Sequence, residues 1–260
     1  MADREVAGVE PCPPLVLGDP SVGGPLILTC EHSSNRIPEE LRVTDSDRPW
    51  LDTHWAWDKG APDVVRTLTE ETSSCAVLAT SSRLVCDPNR VVNHPQWIRE
   101  EMESYSLTFN QDLGTEERER RRLRYYEPYH VHANRLVEER VAAGEAPLLL
   151  AIHSFTPHYE TEDRWMHMGV IFDTHEELAL RLKELLGQEG FDTALNQPYS
   201  GALGQMYSPR RHGRSHDLPY LELEMRQDLF STPERASRAV TAVCRAVRTL
   251  VGLPGALKRA

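Results

Sequence analysis

The sequence predicts a single α/β domain, with a mixed, mostly parallel sheet carrying helices on both faces. Three observations lead there. Short apolar runs alternate along the chain with segments of helical period, several of those runs are apolar throughout, and no internal repeat or linker divides the 260 residues. Strand and helix alternation favours a sheet covered by helices on both sides, and a strand without a polar face is one buried on both. A chain of this length can bury roughly three-quarters of the surface its unfolded form exposes.

The elements follow in order. Residues 1–24 are rich in Pro and Gly and show no sustained apolar period, which predicts an N-terminal arm or capping loop ahead of a domain over residues 25–260. Leu26–Cys30, Ala76–Ala79, Leu84–Cys86, Leu148–Ile152, Val170–Phe172 and Tyr220–Met225 read as strands. Ala61–Glu70, a long stretch from about Pro95 to Ala143, Glu176–Gln188 and Pro233–Leu250 read as helices. The last of these begins with Ser231, Thr232 and Pro233, a helix-start signal with Pro at an early helical position.

Composition narrows the function. No apolar run approaches the ~20 residues that a membrane-spanning helix needs. With 29 Lys and Arg against 40 Asp and Glu, the formal charge of −11 repels phosphate backbones and anionic lipid headgroups. Nucleic acid and membrane partners are therefore not expected, whereas an anionic small molecule can still bind where Arg or metal charge gathers locally. The run EERERRRLR at residues 116–124 interleaves acid and base at helical spacing, which reads as a salt-bridged, solvated helix face. Five scattered cysteines include no C-x-x-C pair and read as reduced thiols. The N-terminus lacks a basic region followed by an apolar one, and a cytoplasmic protein is expected. Oligomeric state has no signal.

In open α/β sheets ligands bind beyond the carboxyl ends of strands, and here those ends are polar. Glu31 and His32 follow the first apolar run, His153 follows Leu148–Ile152, Glu222 and Glu224 lie within Tyr220–Met225, and Arg83, Asp87, Asn89 and Arg90 surround Leu84–Cys86. Two histidines at two strand mouths suggest a shared metal, since a catalytic zinc takes three protein ligands and keeps an open position. Strand parity puts Glu222 and Glu224 on one side, opposite Leu221, Leu223 and Met225. Glu222 reads as a partner for an Arg, and Glu224 as a candidate base. Arg83 and Arg90 offer bidentate geometry for carboxylates.

The ordered segments CEHSSNRIPEEL, HWAWDKGA, SRLVCDPNR, AIHSFTP, NQPYSG and LEMRQDL, spanning about residues 26 to 230, resemble the N-formylglutamate amidohydrolase family. That family is similar in turn to the zinc carboxypeptidases, and the resemblance implies a phosphorylase/hydrolase-like mixed sheet flanked by helices. It implies His32 and His153 as zinc ligands, Glu224 as general base, and Asn89 with Arg90 as holders of a substrate carboxylate. Arg83 and Arg226 are further candidates for an anionic N-acyl amino acid, with Arg226 alternatively a structural partner of Asp228. Carboxypeptidases place a Glu three residues after the first His, where this chain has Asn35. Asp58 is the expected substitute as third ligand, with His54 and Glu31 as rivals. The implied reaction is zinc-dependent hydrolysis of N-formyl-L-glutamate to formate and L-glutamate. A metal-dependent amidase for another N-acyl amino acid and a non-catalytic anion-binding protein are the alternatives.

Overall fold

A computed structural model describes residues 9–103 and 105–253. Eleven strands and six α-helices follow one another as β1 (Leu15–Leu17), β2 (Leu26–Cys30), α1 (Ala61–Thr72), β3 (Cys75–Leu78), β4 (Glu101–Met102), β5 (Tyr105–Ser106), α2 (Thr115–Arg121), α3 (Glu127–Ala142), β6 (Leu148–Phe155), β7 (His158–Tyr159), β8 (Glu162–Asp163), β9 (Met168–Ile171), α4 (Glu176–Gln188), β10 (Thr193–Leu195), α5 (Tyr207–Arg214), β11 (Tyr220–Arg226) and α6 (Pro233–Gly252). Seven strands form one sheet in the order β1-β3-β2-β6-β11-β9-β10, and the other four make two small hairpins. The block β3-β2-β6-β11 is parallel, as is β9 with β10; β1 and the β9–β11 junction are antiparallel. The expected single α/β domain with a mixed, mostly parallel sheet is what the chain forms.

Alternation along the strands explains the layers. On β11, Leu221, Leu223 and Met225 join the apolar faces of α1, α4 and α6 in one core, while Tyr220 joins Tyr129, Leu136 and Val137 of α3 in a second core on the opposite face. Helices α1, α3, α4 and α6 contribute apolar stripes to these two cores. On α1 that stripe is Ala61, Val64, Val65 and Leu68, at helical spacing. Gly60 precedes α1 with φ +83, a conformation that favours glycine, and a Cβ there would collide with the Phe230 ring. Thr232 accepts a hydrogen bond from the Arg235 N–H and so caps α6, with Pro233 as its first residue.

Several expectations are revised. Leu84–Cys86 is a buried turn and not a strand: the Val85 N–H donates to the Ser82 carbonyl at 3.0 Å, and the Leu84 and Val85 carbonyls accept from the side chains of Asn110 and Arg121. Side-chain donors thus replace a neighbouring strand, and the apolar residues pack into a third core with Trp97, Ile98 and Tyr126. The helix expected from about residue 95 begins only at Thr115, after the β4–β5 hairpin, and a π-helical turn over Arg122–Tyr126 separates α2 from α3. Part of the expected arm, Leu15–Leu17, is the edge strand pairing with β3, while residues 1–8 lie outside the described residues. The strand β10 lacked a sequence signal strong enough to be read.

The run at 116–124 is salt-bridged as expected, with Arg120 and Arg121 on Glu117, Arg122 on Glu119 and Arg124 on Glu40. Arg121, however, is buried, and its guanidinium donates to the Val85 and Phe109 carbonyls and to Asn110. One charged residue of the helix face therefore anchors the loop that carries Asp87 and Arg90. All five cysteines are free thiols, and burial pushes Cys30 up to about 12. Among the described residues no helix is long and apolar enough to cross a membrane.

Candidate metal centre

The parallel strands β2, β6 and β11 end at the same edge of the sheet, and their polar residues meet there. Glu31 continues the face of Ile27 and Thr29, His153 that of Leu149 and Ala151, and Glu224 that of Tyr220 and Glu222. Register puts Glu224 directly beside His153 on one side and Gly169 on the other. His32 follows β2, and the loop leading into α1 folds back so that the Asp58 N–H donates to the His32 carbonyl at 2.9 Å.

Three atoms converge. His153 Nδ1 lies 2.9 Å from Asp58 Oδ2 and 3.1 Å from His32 Nδ1, and His32 Nδ1 lies 3.3 Å from the same Asp58 oxygen. All three side chains are buried. Ligand bonds of about 2.0 Å in a tetrahedron set its edges at about 3.3 Å, so this triangle has the size of one face around a zinc ion. A metal is also the natural solution to a local conflict. Two imidazole Nδ1 atoms facing each other at 3.1 Å cannot both present lone pairs without a proton or a cation between them.

The far side of each imidazole is held by a carboxylate. His32 Nε2 bonds Asp87 Oδ1 at 2.7 Å, and His153 Nε2 meets Glu31 Oε2 at 3.0 Å. Glu31 in turn accepts from the Tyr129 hydroxyl at 2.8 Å. Carboxylates behind metal-ligating histidines fix the tautomer and turn Nδ1 toward the metal. Asp58 is fixed likewise, with Oδ2 accepting from the Ser154 N–H and Oδ1 paired with Arg83.

Electrostatics follow from burial and partners. Burial favours neutral imidazole; at His32 it prevails, with Arg83 nearby, and the pKa falls to about 3. At His153 the same burial is outweighed by Glu222, Glu31 and Glu224, which raise the pKa to about 10. Burial also raises Glu224 to about 8, with the Glu222 charge adding to it while His153 and Arg83 pull the other way. Glu224 Oε2 has no hydrogen-bond partner among the described residues. A buried, unpartnered carboxyl beside a cation site is poised to exchange a proton with a bound molecule.

A cavity of about 370 Å³ opens over this edge, lined by Arg83, Arg90, Arg99 and Arg164 together with Trp55, Tyr159 and Tyr199. The residues expected to bind substrate fall into different positions. Arg83 lines the cavity while paired with Asp58, and Arg90 lines it with one bond to the Asn89 carbonyl and no ion pair among the described residues. Asn89 is buried beneath, its amide donating to Glu222 and accepting from the Ser208 N–H. Arg226 does not reach the cavity. Its guanidinium pairs with Asp228 and donates to the carbonyls of Arg164, Trp165 and Met166, which is the structural alternative.

Glu222 pairs with Asn89 and His153 instead of an Arg. His54 lies against Trp55 on the cavity wall and Glu31 behind His153, so neither belongs to the converging triangle. Arg99, Arg164 and the supporting role of Asp87 were not read from sequence. The two arginines come from irregular segments with no periodic signal.

A family model for N-formylglutamate amidohydrolase matches residues 24–231. Among solved structures, a gene product from Agrobacterium tumefaciens is 29% identical with a TM-score of 0.81, the match covering 91% of this chain and 95% of that one. N-formylglutamate amidohydrolase from Ralstonia eutropha shares the fold, with 19% identity, a TM-score of 0.63 and coverage of 92% and 95%. No curated protein matches the chain. The family match takes in β2, β6 and β11 and every residue of the converging triangle, and the chain accordingly belongs to the N-formylglutamate amidohydrolase family, a hydrolase acting on an amide bond.

Proposed function

We propose that this protein hydrolyses the N-formyl amide of N-formyl-L-glutamate to formate and L-glutamate, with zinc held by His32, Asp58 and His153. The observation that carries this reading is the triangle of His32 Nδ1, His153 Nδ1 and Asp58 Oδ2, with a carboxylate behind each imidazole, set beside the unpartnered Glu224. A zinc ion at such a site supplies a Lewis acid that lowers the pKa of water to about 7 and polarises the amide carbonyl. The chain's own residues supply the rest. Glu224 accepts the proton of the attacking water and delivers it to the leaving nitrogen, which must depart as an amine. Asp87 and Glu31 keep both imidazoles in the tautomer that presents Nδ1. The guanidinium-lined cavity gives an acidic protein a place for a dicarboxylate.

His153→Ala is expected to abolish both metal and activity, whereas Glu224→Gln keeps the metal and loses turnover. Retention of stoichiometric zinc together with normal turnover in His153→Ala sinks this reading. Comparing formyl-, acetyl- and succinyl-glutamate separates it from an amidase for another acyl group, for which formylglutamate is not the best substrate.

A further inference from the structure

Three guanidiniums facing the cavity, those of Arg90, Arg99 and Arg164, have no ion pair among the described residues, although Arg83 on the same cavity pairs with Asp58 and Arg118, which shares a neighbouring groove with Arg99, pairs with Glu100. Like charges around one space repel, so holding them there requires support. Arg99 stands over the Trp55 ring, its Cζ 4.9 Å from the centroid. Arg164 sits among Phe155, Tyr159 and Tyr199 at 5.5, 5.0 and 5.5 Å, and donates to the Thr156 carbonyl at 3.3 Å. Aromatic faces hold a guanidinium in place without neutralising it. Neither acidic residue on the cavity wall forms an ion pair with these three guanidiniums among the described residues: Asp87 is bonded to His32 and acts on Arg90 and Arg99 only at longer range, and Glu162 makes no ion pair.

The positions also differ in what they are near. Arg164 is one of the charges felt by Glu224, whereas Arg99 lies in the field of Asp87, Arg90 and Tyr159. Trp55 and Tyr159, the rings under Arg99 and Arg164, have their centroids 6.2 Å apart, so the two guanidiniums stand on neighbouring platforms of the same cavity wall.

We infer that Arg99 and Arg164 are specificity-determining residues that select an N-acyl amino acid with an acidic side chain over its neutral isostere, by receiving the side-chain carboxylate between two guanidiniums on aromatic platforms. This rests on the reading of the site as an amide hydrolase for N-acyl amino acids. It adds two loop residues, absent from the sequence motifs, as the source of the preference for a dianion. A charge-assisted contact of this kind is worth roughly tenfold to a hundredfold in binding.

The test compares kcat/KM for N-formyl-L-glutamate and N-formyl-L-glutamine in the wild type, Arg99→Gln and Arg164→Gln. The wild type is expected to prefer the acidic substrate by about a hundredfold or more. Each variant should cut that ratio about tenfold, with the loss in KM for the acidic substrate and little change in kcat. A ratio unchanged within about twofold in both variants overturns the inference. Calorimetric titration of the wild type with glutarate and with its monoamide provides a readout independent of turnover and of variant folding. The dianion should bind at least about tenfold more tightly, and equal affinity overturns the inference. Selective glutarate binding by a protein that hydrolyses neither formyl substrate supports this inference while contradicting the proposed reaction.

Discussion

At the scale of single residues, the site is a set of short polar contacts, each of which predicts a distinct defect. Glu224, the proposed proton carrier, has no hydrogen-bond partner at Oε2 among the described residues, so Glu224→Gln changes the carboxyl without removing a support at that oxygen. The expected result is a fall in kcat of about 10²–10⁴ with metal content unchanged, read by steady-state kinetics alongside metal analysis. Asp87 acts through His32, whose Nε2 it holds at 2.7 Å. Asp87→Asn is expected to weaken metal affinity about 10–100-fold, measured by competition with a chelator. An unchanged affinity would remove Asp87 from the account of how His32 is oriented.

At the scale of elements, loops are fixed as firmly as strands. Asp47, just before the short 3₁₀ helix Arg48–Asp52, accepts bonds from the Thr44 and Thr108 backbone N–H groups, from both threonine hydroxyls and from the Tyr105 hydroxyl. Burial alone would raise its carboxyl, but the bonds from Thr108 and Thr44 outweigh that and lower it to about 2. The native state thus holds Asp47 ionised below its ordinary value of about 3.9. Its contribution is present above about pH 4 and is lost as pH falls toward about 2. Asp47→Ala is expected to cost about 1–3 kcal/mol at pH 7 and to flatten the acid limb of the stability profile in that window, followed by denaturant melts. Within the sheet, Leu150 on β6 is wholly buried, and Leu150→Ala is expected to cost about 2–5 kcal/mol, seen as a lower denaturant midpoint. A cost below about 1 kcal/mol would mean that the core around β6 is not closely packed.

At the scale of the whole molecule, the legible part of the fold was the part governed by period. Apolar runs marked β2 and β6 because a strand covered on both faces has little place for a polar alternate, the alternation of Leu221, Leu223 and Met225 with Glu222 and Glu224 marked β11, and the polar residues at these strand ends marked the site. Strand parity placed Glu222 and Glu224 together and opposite Leu221, Leu223 and Met225. What escaped depended on non-local partners. Leu84–Cys86 looks like a strand until Asn110 and Arg121 satisfy its carbonyls, and β1 and β10 are too short to show a period. Asn89 carries the chemistry of a carboxylate site, yet non-local bonds with Glu222 and Ser208 engage its amide, while Arg226 makes the pair with Asp228 that the sequence offered as its alternative and adds the distant carbonyls of Arg164, Trp165 and Met166. Arg99 and Arg164 become visible only when two loops close over one cavity.

The formal charge of −11 has a corresponding reading in three dimensions: acidic side chains outnumber basic ones, while guanidiniums with no ion pair among the described residues gather at one cavity over one edge of the sheet. All of this turns on a metal at the triangle. The most direct measurement is the zinc content of the purified wild-type protein set against that of His153→Ala. About one zinc per chain is expected in the wild type, for a three-ligand site of this kind, and none retained by the variant. Wild-type protein that holds no stoichiometric metal even after reconstitution, or a variant that holds as much as the wild type, would contradict it.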